Sequence, residues 1–137
     1  MKYGNGAALD NKKTGLLKHL VDIDAFISDS EKYKYLLKTM ESQFRQFDEL
    51  GLTKYNPLVN RTKVQLNASE KPEVVFLLAN HNPRSTDLLR VLADLKDLKY
   101  EENERFDLRF FVSQFAGYGL HSDCMLTLSQ FRDLLKC

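Results

Sequence analysis

Apolar side chains open the ordered part of the chain at the spacing of an α-helix. Leu16, Leu20, Ile23 and Ile27 stand four, three and four residues apart, with Leu17, Val21 and Phe26 beside them. That pattern predicts a short amphipathic helix with a wide buried face, and Thr14 is placed to cap its start. The pattern breaks at Ser28-Asp29-Ser30-Glu31, where Ser28 and Glu31 have the spacing of a capping box. A second stripe then runs through Tyr33, Leu37, Met40, Phe44 and Phe47, broadened by Leu36 and Leu50 and stopped at Gly51. Two helices joined by so few residues predict an antiparallel hairpin.

Periodicity lapses over 52–72. Tyr55-Asn56-Pro57 signals a turn, and the weak alternation of 63–66 suggests a short edge strand. The run 72–79 has two readings: its β-branched residues suit a buried strand, and Pro72 followed by Glu73 suits a helix start. Asn80-His81-Asn82-Pro83 ends it in either case. Ser85 or Thr86 then caps a helix striped by Leu88, Leu89, Val91, Leu92, Leu95 and Leu98. After an acidic connection, 106–116 is ambiguous again. Phe106, Leu108, Phe110 and Val112 alternate like a strand, while Phe111, Phe115 and Tyr118 are spaced like a helix. The absence of a turn signal over so long a run favours the helix, and a further short helix closes the chain over 127–135. The expected architecture is mostly α: one helical domain of five or six helices over 14–137, starting with the hairpin and preceded by a flexible tail over 1–13. The alternative is an α+β fold with a small sheet built from Val64, 74–78 and 108–112. The apolar density of 104–135 marks that stretch as central core or interface.

Composition narrows the class without naming a function. With 43% hydrophobic and 28% charged residues the chain belongs with ordinary globular proteins. Its net charge is +1, and neither half is a polyelectrolyte, so no global attraction to nucleic acid or membrane is expected. No apolar run approaches the roughly 18 residues of a bilayer span, and the N-terminal stretch lacks the apolar core of a signal peptide. The two cysteines, Cys124 and Cys137, make no disulfide framework, so a reducing, cytoplasmic setting is expected. In that setting the glycosylation-like triplets at Asn60 and Asn67 read as coincidence.

Chemistry-bearing groups are scattered. His19 precedes Asp22 by one helical turn, as in a catalytic pair, but both also fit a solvated face. His121, Asp123 and Cys124 offer two or three zinc ligands with nothing nearby to complete a tetrahedron, so no metal or cofactor is expected. Asn80-His81-Asn82 would form a ligand site only if it followed a strand of an α/β sheet. Phe111, Phe115 and Tyr118, followed by Leu126-Thr127-Leu128-Ser129-Gln130-Phe131 and Leu134-Leu135, resemble the helix, loop and helix of an EF-hand, with Leu126 at its short β contact. The intervening loop has only Asp123 as an acid and Cys124 in place of glycine. The resemblance therefore implies a calcium-silent packing module.

The expected function is a non-enzymatic protein–protein interaction or adaptor domain. It would use Tyr33, Phe44, Phe47, Phe111, Phe115 and Tyr118 to meet a protein partner or a second copy of the chain. The alternative is a nucleic-acid-associated accessory protein. It would bind phosphates through the basic loop 54–71, where Lys54, Arg61, Lys63 and Lys71 outnumber the single acid Glu70.

Overall fold

The computed structural model describes residues 15–53, 65–66, 69–79, 82, 84–113 and 122–135. These residues hold four α-helices and a two-stranded parallel sheet, a mostly α fold with fewer helices than expected. They divide between two compact units, one containing 15–24 with 71–135, the other 25–70.

Helices α1 (Leu16–Ser28) and α2 (Ser30–Glu49) are separated by one non-helical residue, Asp29. Asp29, rather than Ser28, caps α2: its backbone is extended at φ −79°, ψ 90°, and its carboxylate accepts the Lys32 N–H at 3.2 Å. This one-residue junction is shorter than the two to five residues that usually join the helices of the expected hairpin. The stop at Gly51 does occur. Gly51 takes φ 68°, its N–H donates to the Asp48 carbonyl, and the Leu52 N–H reaches back to Phe47. This is a Schellman ending, which favours a residue without a Cβ at the left-handed position.

The first unit is built on a β–α–β crossover. Strand β1 (Glu73–Ala79) leads to helix α3 (Thr86–Asp97) and then to strand β2 (Asp107–Ser113), which lies parallel to β1 with Val74 opposite Leu108 and Phe76 opposite Phe110. Parallel neighbours require such a crossover, because a tight hairpin can join only antiparallel strands. Ser85 caps α3 by accepting the Leu88 N–H, and the helix turns Leu88, Val91, Leu92 and Leu95 into the core.

Residues 107–113 are therefore strand, where a helix was favoured. Phe106, Leu108 and Phe110 are buried at alternate positions, and Phe111 is buried as well. Burial on both sides of a parallel strand gives a continuous apolar run rather than a clean alternation. The spacing of Phe111 that suggested a helix follows from that double burial. The ladder to β1 satisfies the backbone groups of alternate residues from Asp107, and Leu126 satisfies those of Phe110.

The same result places Phe111 of the EF-hand-like pattern in a strand, while Phe115 and Tyr118 lie outside the described residues. Leu126 does make a short β contact, exchanging both backbone hydrogen bonds with Phe110 at 2.8 Å, but its partner is β2. Helix α4 (Leu128–Leu135) follows, opened by a reciprocal cap in which the Thr127 N–H donates to the Gln130 side chain and the Gln130 N–H to the Thr127 hydroxyl. The Glu101 carboxylate also accepts both the Ser129 N–H and its hydroxyl, placing negative charge at the first turn of α4.

The core centres on Phe110. Its ring stacks on Phe131 of α4 at 5.0 Å and meets Phe76 of β1 at 5.8 Å. Leu20, Val91, Leu92, Leu95, Phe106 and Leu128 are as completely enclosed. Phe110→Ala should lower unfolding stability by about 3–5 kcal/mol through lost transfer energy and a residual cavity. Phe47→Ala, on a half-exposed position, should cost only about 1 kcal/mol. Urea unfolding of both variants beside the wild type checks the contrast.

Candidate interaction surface

Each of the other described α-helices buries at least two residues, and helix α2 does not. In its twenty residues none is buried. At 100° per residue, Tyr33, Leu36, Leu37, Met40, Phe44 and Phe47 fall within one stripe about 100° wide. Tyr33, Leu37 and Phe44 on that stripe are half-buried. Leu36, Met40 and Phe47 are 38%, 46% and 50% exposed, and Leu50 and Leu52 extend the apolar surface past the helix end. The remainder of the helix, apart from Tyr35, is polar, and its carboxylates take bonds from the chain that follows. Thr53 donates to Asp48 at 2.9 Å, and the Leu66 N–H donates to the Glu41 carboxylate at 2.7 Å.

The other expected contact residues are Phe111, Phe115 and Tyr118. Phe111 is a buried position of β2, and Phe115 and Tyr118 lie outside the described residues. Of the basic loop, Lys54, Arg61 and Lys63 also lie outside them. Lys71 is exposed and ion-paired with Asp107 at 2.9 Å. His19 and Asp22 are both exposed, with Lys18 as the salt-bridge partner of Asp22. Cys124 is an exposed free thiol. His81 and His121, and the candidate strand residue Val64, lie outside the described residues, as does the tail 1–13. Among the described residues no group of three His, Cys, Asp or Glu side chains could hold a metal ion. No helix there is long and apolar enough to cross a membrane.

Sequence reasoning missed a polar clasp in the first unit. Arg105 grips Asp24 with two hydrogen bonds of 2.7 Å, from Nε to Oδ1 and from Nη2 to Oδ2. Asn103 holds the arginine segment in place, its Oδ1 accepting the N–H groups of Arg105 and Phe106 at 2.7 and 3.3 Å. With Leu17, Val21, Leu98 and Tyr100 these residues line an open cleft of about 370 Å³.

The hydrogen bond from Arg105 holds the Asp24 carboxyl below its ordinary value. Partial burial opposes that shift, and Asn103 adds to it. Burial raises the Tyr100 phenol, with the Asp24 charge reinforcing the rise. A bidentate pair of this kind neutralises the guanidinium charge that would attract a ligand anion, so the cleft reads as a tie between α1 and the segment entering β2. Eighty-one residues separate the partners, which is why no local spacing announced them.

No protein-family model, curated protein or solved structure matches this chain.

The clasp has a testable acid response. Asp24 titrates lower when folded than its unfolded value near 3.9. Its stabilising contribution is therefore complete above about pH 4 and is lost as pH falls through the folded value. In Arg105→Gln the Asp24 carboxyl should titrate higher, at or above the unfolded value, because its burial penalty remains. Carboxyl-carbon NMR titration of the two proteins measures this, and the stability gap between them should narrow only below about pH 4.

Proposed function

We propose that this chain is a non-enzymatic protein-interaction domain that presents the apolar stripe of α2 to a protein partner. The supporting observation is the exposure of Leu36, Met40 and Phe47 along one side of a twenty-residue helix without a buried position. Their spacings of four and seven residues match the anchors by which an amphipathic helix seats in an apolar groove. Full burial of such side chains is worth about 1.5–3 kcal/mol each, and a partner that covers the exposed part of each gains about half of that. Leu50 and Leu52, also exposed, would extend the contact beyond the Schellman turn.

The test uses a photo-crosslinking residue at Met40 to capture the partner, followed by titration of the purified pair. Phe47→Glu and Met40→Glu should each weaken binding by about 2 kcal/mol or more, roughly thirtyfold, as expected of central apolar anchors. Both variants should keep the wild-type circular dichroism, because neither position is buried. Binding unchanged by both substitutions would sink the reading. So would a catalytic turnover abolished by His19→Ala or Cys124→Ala.

A further inference from the structure

The two strands of the sheet differ in how well they are covered. β2 carries three buried apolar residues, Leu108, Phe110 and Phe111, and its outer edge is occupied where Phe110 pairs with Leu126. β1 reads Glu-Val-Val-Phe-Leu-Leu-Ala, yet none of its described side chains is buried and Leu77 is 55% exposed. Among the described residues no strand lies along its outer edge. Apolar residues at successive positions are the composition of a central strand in a covered sheet, whereas edges are normally blunted by lysine, proline or a bulge. Between Glu73 and Ala79 there is neither a charge nor a proline.

The free backbone groups can be assigned. The Asp107 N–H donates to the Pro72 carbonyl, and Glu73 is the residue opposite Asp107. In a parallel ladder the flanking positions then point their N–H and C=O groups at β2, and the register residue points away. Glu73, Val75, Leu77 and Ala79 therefore present their backbone groups to the open edge.

We infer that this edge pairs antiparallel with β1 of a second copy of the chain, about a two-fold axis at Phe76. In that register Val75 faces Leu77 of the other copy as a hydrogen-bonded pair, and Glu73 faces Ala79. All four outward-facing residues of each strand gain partners. Phe76 meets its symmetry mate at a non-hydrogen-bonded position, where opposed side chains approach most closely and aromatic pairs are favourable. Val74 falls opposite Leu78, so every pair inside the rim joins apolar to apolar, and Glu73 never faces itself. The strand is complementary to its own copy, which is what a two-fold interface demands. Two marginal two-stranded sheets become one sheet of four strands. The pairing uses a surface other than the α2 stripe and does not depend on it.

The test is the solution mass of the full chain by native mass spectrometry and analytical ultracentrifugation, for wild type and Val75→Pro. Val75 directs its N–H outward, so proline there leaves the β1–β2 ladder intact and removes an edge donor. The wild type should weigh twice 15.9 kDa, and Val75→Pro should weigh a single chain with unchanged circular dichroism. Leu77→Lys, at an exposed position, is expected to give the same loss and serves if the proline variant does not fold. In the wild-type dimer, hydrogen exchange at the Val75 and Leu77 amides should be slow, and in a folded monomeric variant fast. A single-chain mass for the wild type, or dimers surviving both substitutions, would overturn the inference. A different protein released by Val75→Pro would also overturn it, by assigning the edge to another chain's strand.

Discussion

Phe110 sits where the first unit's elements meet, and the geometry around it constrains most of what that unit does. Its ring lies between Phe76 and Phe131, and its backbone pairs outward with Leu126. One residue thus joins the sheet to α4 through the core and to the segment before α4 through hydrogen bonds. A fully enclosed aromatic of this size contributes more by filling volume than any surface ion pair can by charge. Lys71–Asp107 and Arg109–Glu73 cross between the strands' ends and faces as exposed pairs, so they adjust register more than they hold the sheet together.

Around that core the polar contacts act mainly as fasteners for chain segments with little apolar surface of their own. The turn at Tyr100–Glu102 stacks Tyr100 near Phe106 at 6.3 Å and extends Glu101 to the start of α4. Asn103 shapes the next residues, and Arg105 reaches α1. Lys99, at φ 57°, takes the left-handed conformation that ends α3 without glycine, a local cost that is borne because the turn must redirect the chain into β2. Short connections of this type let a small unit bury α3 and α4 against a sheet of only two strands.

Both surfaces proposed for association have the same physical origin. The chain has more apolar helix and strand surface than its described core encloses: one side of α2, and the edge of β1 with Leu77. The two demands differ in kind. An exposed helix stripe needs only apolar cover, because its backbone groups are satisfied within the helix. An exposed strand edge also presents unpaired N–H and C=O groups, which makes the partner's backbone geometry part of the fit.

The helices were largely legible in the sequence, since a helix closes its own hydrogen bonds and its signals are local. The stripes of α1, α2 and α3, the Ser85 cap, the Gly51 stop and the short last helix all follow from spacings within a few residues. Position alone did not separate Ser28 from Asp29 as the cap of α2, because both offer a side-chain oxygen one turn before the helix is committed. The apolar stripe of α2 was legible as periodicity, but its exposure was not, since periodicity is the same for a helix face that is covered and one that is open. Only the tertiary structure decided that 73–79 and 107–113 are strands, that they run parallel, and that Asp24 meets Arg105. A strand's hydrogen-bond partner lies far along the chain, and a strand apolar on both sides loses the alternation that would announce it. What the sequence determined is therefore what residues within a turn of one another can settle, and the rest waited on contacts that only folding brings together.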